Sequence, residues 1–301
     1  MRSTWPTRWS CSRRARSCCG VRPPSCGRSS ASACYPPLTA RRSDRSVHPR
    51  ISVSAISTYT WDLDRDIEFW AAAGVTNVGV SMAKLNAYGV ERGLRLLLDS
   101  GVHIGNVIGT GTSGLAASVD VASELDADCL VFTTGRAAPR TWEEAADALA
   151  RTLVPLVPRA AELDVPLALE HTNSLRADVG FVHSLRDAID LARTLDIGVC
   201  MEINACWGER ALADTIAAGI DRIRLVQLSD YVIGTLSTPD RAVPGDGDIP
   251  FDRILGSLLA AGYAGAFDLE LIGPRIEAEG YEEAVPRAVH AVELLLARLG
   301  A

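Results

Sequence analysis

Three glutamates stand at the carboxyl ends of short apolar segments in the second half of the chain. They are Glu170 in LALEH, Glu202 in VCMEI and Glu270 in FDLEL. Burying one such carboxylate without a partner costs several kcal/mol, so each glutamate by itself fits either a structural salt bridge or a catalytic or metal-binding role. If all three meet at one edge of a fold, their mutual repulsion calls for a cation among them. The set as a whole therefore favours a metal site.

A side-chain amide joins this set. Gln227 lies between Val226 and Leu228 in another apolar segment, and its oxygen can serve as a neutral fourth ligand. Ligands that are all oxygen favour a hard divalent ion, with Mn²⁺ as the first candidate and Mg²⁺ or Co²⁺ as alternatives. Such an ion would polarise a carbonyl and an adjacent hydroxyl and would acidify the C–H bond between them. A neighbouring carboxylate could then move that proton by general acid–base catalysis.

These side chains can meet only if the segments that carry them surround one centre. From residue 51 onward, short apolar segments rich in β-branched residues alternate with amphipathic segments of helical period. The predicted strands are 51–57, 77–81, 102–109, 129–135, 166–171, 197–203, 223–230 and 265–272. Eight such units in about 250 residues predict an α/β fold, the (β/α)₈ or TIM barrel, whose chemistry lies at the carboxyl ends of the strands. An open doubly wound sheet is the alternative, but no GxGxxG sequence follows the first strand.

Several of the intervening helices have recognisable ends. The predicted helices are 62–74, 141–164, 184–196, 251–262 and 281–300. Thr141 followed by Glu144 is a capping-box pattern, and Ser184 is a typical N-cap. Lys84, the only lysine of the chain, is expected to be solvated at the rim that follows the second strand.

The ordered set LALE, VCMEI, VQLSDY, RAVPGDGDIPF and GYAGAFDLEL resembles the xylose isomerase-like TIM-barrel superfamily of sugar isomerases and epimerases. The resemblance covers roughly residues 51–298. It implies that a divalent ion, typically Mn²⁺, is bound by Glu170, Glu202, Gln227 and Glu270. It also implies that Glu170 and Glu270 are the catalytic pair, which passes a proton through a cis-enediolate, and that Arg241 contacts substrate oxygens.

The chain departs from the pattern of this family at three positions. Glu202 stands in place of the usual aspartate, Gln227 in place of the usual histidine, and Ala205 in place of a substrate-binding histidine. Asn204 or His171 could take over the missing contact to the substrate.

Three further residues near the predicted site are candidates with an open role. Trp207 could stack on a sugar ring, although packing within its loop is the simpler role. Asp230 and Asp246 could each orient a metal ligand through a hydrogen bond, or could simply stabilise a turn.

The charge of the chain is unevenly distributed. Residues 1–50 contain eleven arginines and one acid, while the whole chain carries a net charge of −7. Residues 51–301 are therefore strongly acidic, which argues against nucleic-acid binding by this part. No apolar run is long enough to span a membrane. The cysteine pattern is typical of a reducing compartment, so a cytoplasmic location is expected.

Residues 1–47 are rich in Arg, Ser, Cys and Pro and lack a hydrophobic period. They are predicted to be a disordered segment, and the rest, 48–301, a single barrel domain. The segment has no apolar core typical of a secretory signal. The favoured hypothesis is that native translation starts near Val47 and that the segment is not part of the native protein.

Three functions are compatible with these residues. The leading hypothesis is a metal-dependent isomerase or epimerase of a sugar, keto-sugar or related polyol. A lyase of the same superfamily, an inosose-type dehydratase or a β-eliminating deglycosidase, would share the first proton abstraction. A barrel that has lost its metal and its catalysis is the third. The expected partner is a small carbohydrate substrate, with homo-oligomers as a further expectation.

Overall fold

The computed structural model describes residues 47–109 and 111–301. The predicted disordered segment therefore lies outside the described residues, apart from Val47. Within the described residues, parallel strands form a closed barrel in chain order, β1 to β8, which confirms the predicted (β/α)₈ fold. The strands are β1 (Ile51–Ser54), β2 (Asn77–Ser81), β3 (His103–Ile108), β4 (Leu130–Thr133), β5 (Leu167–Glu170), β6 (Gly198–Glu202), β7 (Ile223–Leu228) and β8 (Phe267–Leu269).

Helices follow the strands and cover the outside of the barrel. They are α1 (Leu63–Ala73), α2 (Met82–Tyr88), α3 (Val90–Ser100), α4 (Leu115–Glu124), α5 (Trp142–Leu153), α6 (Leu156–Glu162), α7 (Leu185–Leu195), α8 (Ile203–Cys206), α9 (Leu212–Gly219), α10 (Phe251–Ala260), α11 (Pro274–Glu279) and α12 (Tyr281–Leu299). No helix of the described residues is long and apolar enough to cross a membrane.

The predicted helix ends are largely confirmed, and one predicted helix is divided. Thr141 and Glu144 form the reciprocal bonds of a capping box at the start of α5, and Ser184 caps α7. The predicted helix 141–164 is wrong in its middle, because α5 ends at Leu153 and α6 starts at Leu156. Pro155 lies at this break, and a proline has no N–H to donate to the preceding turn.

Alternation along the strands decides which side chains enter the barrel. Leu225 of β7 packs in an interior cluster with residues from β5 and β6, Ala168 and Cys200 among them, whereas Val226 and Leu228 belong to the larger core under the helices. Because side chains of a strand alternate between its two faces, Glu170, Glu202 and Gln227 also face the interior, one step closer to the carboxyl end. The fold therefore directs these three side chains into the barrel interior.

Lys84 is a correction to the sequence-based expectation. Instead of being solvated, its amine lies 2.5 Å from the Asp66 carboxylate and donates to the Thr58 carbonyl at 2.9 Å. The Asp66 side chain is fully buried. The pair joins α1, α2 and the turn after β1, so Lys84 has a structural position rather than a place in the cavity.

The loop after β7 is fixed by Asp230. Its carboxylate accepts hydrogen bonds from the backbone N–H groups of Gly245 at 2.8 Å, Gly247 at 2.9 Å and Ile249 at 3.1 Å. The backbone of Asp230 also pairs with Ala242 in an antiparallel bridge. A buried carboxylate thus folds residues 231–250 back over the end of the barrel.

Replacing Asp230 by Ala should lower the free energy of unfolding by about 3 kcal/mol or more, because several amides lose a charged acceptor, each worth about 1.5–3 kcal/mol. Asp246→Ala is the control, since Asp246 forms only a half-exposed ion pair with Arg287 and should cost less than about 1 kcal/mol. Chemical denaturation measures both. Equal losses in the two variants would show that Asp230 does not organise the loop.

Candidate functional site

A cavity of about 490 Å³ opens at the carboxyl end of the barrel. Its floor is formed by the ends of β5, β6 and β8, and one wall is formed by the loop after β7. Five of the predicted site residues contribute to its lining: Glu170, Glu202, Asn204, Arg241 and Glu270. The volume lies within the range of about 300–1,000 Å³ that is typical of small-molecule sites.

The three predicted glutamates meet at the base of this cavity. One carboxylate oxygen from each of Glu170, Glu202 and Glu270 lies within 4.8 Å of the other two. Glu170 and Glu202 end their strands, whereas Glu270 is the first residue after β8 and is held by a backbone hydrogen bond to Leu228 at 3.1 Å. Three like charges at this spacing require a compensating positive charge or bound protons.

Arg241 supplies one positive charge. Its Nη1 donates to Glu202 at 2.6 Å and to Ser229 at 3.2 Å, and its Nη2 lies 3.7 Å from a Glu270 oxygen. The other oxygen of Glu202 accepts from the backbone N–H of Asn204 at 2.9 Å, at the start of α8. Both oxygens of Glu202 therefore have partners, and this glutamate fixes the arginine and a helix end.

Glu170 and Glu270 differ from Glu202 because they keep oxygens without a partner. Glu270 Oε2 is buried and unbonded, and the Glu170 carboxylate forms no hydrogen bond within the described residues. Burial raises the pKa of Glu170 well above its usual range, and the charges of Glu270 and Glu202 raise it further. Burial also raises the pKa of Glu202 to about 7, although Arg241 opposes this shift. Burial and mutual repulsion therefore favour the protonated forms of these two carboxyl groups.

Gln227 is fully buried beside Glu202, its partner in the ladder of β6 and β7. Neither Oε1 nor Nε2 has a hydrogen-bond partner in the described part of the chain. A buried amide without partners is costly, and a cation next to Oε1 would remove part of that cost. Three carboxylates and one arginine leave two negative charges uncompensated when all are ionised. The donor set therefore fits a divalent ion.

The other residues predicted to contact the substrate differ in whether they line the cavity. Asn204 lines the cavity and donates from its amide to the Asp230 carbonyl at 3.2 Å. His171 is fully buried and does not line the cavity, and burial lowers its pKa to about 3, so its ring is neutral. Trp207 packs beside Tyr231, with ring centroids 6.2 Å apart, and it is Tyr231 that lines the cavity.

Asp230 and Asp246, the two aspartates for which the sequence allows more than one role, lie in different surroundings. Asp230 is buried and holds the loop behind Arg241, as described above. Asp246 pairs with Arg287 at 2.6 Å on a half-exposed surface and is not part of the cavity lining. The positions favour a turn role for Asp246 and a loop-organising role for Asp230.

Several residues of this region were not anticipated from the sequence. Ser229 accepts a hydrogen bond from Arg241, and residues 237–240 form a wall of the cavity. Asp268 faces the barrel interior and bonds Ser52 at 2.6 Å, and burial raises its pKa to about 7. Asp268 could have been found from alternation, because it precedes Glu270 by two residues. Residues 237–240 carry no comparable pattern.

Comparisons with known proteins identify the family and the fold of this chain. Residues 84–291 match the family model described as xylose isomerase-like TIM barrel. A curated relative, the inosose isomerase of Halalkalibacterium halodurans, is 28% identical over 131 residues, which are 41% of this chain and 45% of that protein. The match therefore spans less than half of the relative's length.

Two solved structures share the fold. The IolI protein, whose structure contains a zinc atom, superimposes with a TM-score of 0.68 at 16% identity over 83% of this chain and 99% of that chain. The 3-keto-D-glucoside 4-epimerase YcjR of E. coli superimposes with a TM-score of 0.65 at 15% identity over 82% of this chain and 99% of that chain.

At these identities the structural likeness shows the fold alone. The family model, in contrast, matches more than half of the sequence, at residues 84–291. This protein therefore belongs to the xylose isomerase-like TIM-barrel family.

Proposed function

We propose that this protein is a metal-dependent isomerase or epimerase of a keto-sugar or a related polyol. The observation that carries the proposal is the pair Glu170 and Glu270, two carboxylates with unbonded oxygens that face one cavity beside an ion-paired Glu202. The names of the inosose isomerase and of the 3-keto-D-glucoside 4-epimerase support this substrate class.

Each side chain of the site has a distinct task in this proposal. Glu170, Glu202, Gln227 and Glu270 hold a divalent ion, with Mn²⁺ as the first candidate. When bound, the ion supplies Lewis acidity, which lowers the pKa of the C–H bond next to a substrate carbonyl. One of Glu170 and Glu270 removes the proton, and the other returns a proton at the opposite face or at the neighbouring carbon. Arg241 orients substrate oxygens.

Proton transfer can be measured without knowing the natural substrate. In D₂O, the Mn²⁺-loaded protein should exchange the hydrogen on the carbon next to the carbonyl of a ketose or inosose for deuterium. NMR measures the rate of this exchange. Glu270→Gln and Glu170→Gln should each slow exchange by about 10²–10⁴-fold, because a neutral amide cannot accept the proton. Glu277→Gln on the exposed face of α11 is the matched control. Full activity of the Glu270→Gln variant would remove this residue from the mechanism. Release of water or of an aglycone from the substrate by the wild-type protein would indicate a lyase.

Gln227 should determine the strength of metal binding. Gln227→Ala removes one ligand, and we expect the affinity for Mn²⁺ to fall by at least about tenfold, the lower bound seen when even supporting groups of a metal site are removed. Gln227→His introduces an imidazole and should raise the affinity. Calorimetric titration of the metal-free protein measures both. Unchanged affinity in Gln227→Ala would exclude this residue as a ligand.

Loss of Arg241 should weaken substrate binding without weakening metal binding. Arg241→Ala removes a charge-assisted contact worth about 1.5–3 kcal/mol, so KM should rise at least about tenfold. The affinity for Mn²⁺ should not fall, because loss of the arginine leaves the carboxylates more negative. Kinetics and titration of the same preparation separate the two effects. A large loss of metal binding would instead show that Arg241 holds the ligands in place.

The Arg241–Glu202 ion pair also favours a second candidate, a barrel that has lost its metal and its catalysis. In that case elemental analysis of the purified protein would find no stoichiometric metal, titration would detect no binding, and exchange into D₂O would be absent.

A further inference from the structure

The walls of the cavity carry charges of their own, separate from those of its base. The loop after β5 contributes Arg176 and Asp178 to the lining, and the loop after β7 contributes Asp240. At the base, the three glutamates and Arg241 fit a divalent ion. The walls add two carboxylates and one guanidinium group. They are therefore negative when ionised, even if the charge of the base is neutralised.

The positive charge of the walls already has a partner. Arg176 donates from Nε and Nη2 to the two oxygens of Asp178, at 3.0 and 3.2 Å. This ion pair is exposed to solvent, so it is weak on its own. A phosphate that took over Arg176 would nevertheless remain beside the displaced carboxylate, which lies only two residues further along the chain.

Asp240 places a second carboxylate on the walls. Its side chain is 13% exposed, and Oδ1 has no hydrogen-bond partner in the described part of the chain. Ser237 donates to Oδ2 at 3.4 Å, and Arg275 Nε lies 3.8 Å from Oδ1, too far for a hydrogen bond. Arg275 is half-exposed and does not line the cavity. Water therefore screens the charge of Arg275 more strongly than that of the carboxylate.

Gly273 fixes the segment that carries Asp240. Its φ is +126°, and a Cβ at this position would lie 2.6 Å from the Pro239 carbonyl oxygen and 2.7 Å from Asp240 Cα. The backbone N–H of Arg241 also donates to the Ile272 carbonyl at 3.0 Å. Because the loop after β7 packs this closely on the chain after β8, the Asp240 carboxylate is held at the cavity.

Arg241 is the other guanidinium group of the lining. Its Nη1 is shared among Glu202, Ser229 and the Glu270 carbonyl, and its Nη2 lies 3.7 Å from the Glu270 carboxylate. Its charge therefore offsets two carboxylates, although Nη2 can still donate to a hydroxyl group. The described residues of the lining include no lysine and no histidine. An anionic substrate would thus meet no unpaired cationic side chain among them.

Backbone amides of the glycine-rich stretch after β3 are the alternative site for an anion. Gly109 and Gly111 line the cavity. The N–H of Gly109, however, donates to the Val131 carbonyl at 2.8 Å, so this amide is not free. A phosphate cradle needs several converging N–H groups. The charge of the walls therefore has more weight than this stretch.

We propose that the cavity takes an uncharged, non-phosphorylated sugar or polyol, and that Asp178 and Asp240 exclude phosphorylated ones. A polyol offers hydroxyl donors, which suit carboxylate acceptors, whereas a phosphate monoester carries a charge of about −1.5 to −2 at neutral pH. Like charges placed against the wrong ligand are a general source of specificity. The inference rests on the isomerase or epimerase function proposed above and narrows its substrate class.

Calorimetric titration of the Mn²⁺-loaded protein tests this selectivity without requiring turnover. The probes are ribitol, glucitol and myo-inositol, each compared with its monophosphate. Each uncharged polyol should bind at least about tenfold more tightly than its phosphate, because like charges brought together at a binding site are costly. Higher ionic strength should narrow this difference, because salt screens exposed charges.

Charge-neutralising variants show whether the walls cause the preference. Asp178→Asn frees Arg176 and should narrow the preference by about two- to fivefold, the size of an exposed ion pair. Adding Asp240→Asn should bring the change to at least about tenfold, because this carboxylate is less exposed. Asp252→Asn is the matched control for the single variant. Asp252 forms an exposed pair with Arg298 outside the cavity lining, and its preference should equal that of the wild-type protein.

The outcomes separate this inference from the proposed function. Equal or tighter binding of the phosphates, no binding of any uncharged polyol, or the same change in Asp252→Asn as in Asp178→Asn would overturn the inference. If a ketose phosphate exchanges in D₂O as fast as the free ketose, the inference fails and the proposed function stands. If polyols are preferred but no ketose or inosose exchanges, the proposed function fails and the selectivity stands.

Discussion

Repulsion among three buried carboxylates is the constraint on which the rest of the site depends. At 4.8 Å, two unit charges in a medium of effective dielectric constant 20 repel each other by about 3 kcal/mol. The sum over the pairs is of the order of the whole stability of a domain. Arg241 bonds Glu202 and lies beside Glu270, and this removes part of the repulsion. The remainder must be carried by protons or by a cation, which makes the cavity suited both to metal binding and to proton transfer.

The charge balance also clarifies the position of Gln227. An amide and a neutral imidazole contribute no net charge, so replacing one by the other leaves the balance between carboxylates, arginine and a divalent ion unchanged. What changes is geometry, because an amide has a donor end and an acceptor end that exchange places on rotation.

The loop after β7 connects the chemistry to the fold. Asp230 holds the backbone of this loop through several amides, and the same loop carries Arg241 back to Glu202. A defect in the loop would consequently alter the electrostatics of the carboxylates without touching any of them. Residues 241–245 of this loop therefore contribute the arginine that offsets part of the negative charge of the site.

Much of this architecture was predictable from the sequence. Alternating apolar segments and helical periods specify eight βα units, and polar residues at the strand ends specify where the chemistry lies. Caps such as Thr141 and Ser184 are readable because their hydrogen bonds are local. The buried position of Lys84 was missed because it depends on packing between separate elements. The helix break, in contrast, follows from Pro155 itself, because a proline has no N–H to donate to the preceding turn.

The sequence by itself determined the barrel, the family and the four residues Glu170, Glu202, Gln227 and Glu270 as one candidate set. Only the tertiary structure decided that Arg241 bonds Glu202, that Asp230 organises a loop, that His171 is buried away from the cavity, and that Asp268 stands beside Gln227. The physical reason is that strand period and composition are local properties. Register, shear and loop closure instead fix which side chains from distant segments share one buried space.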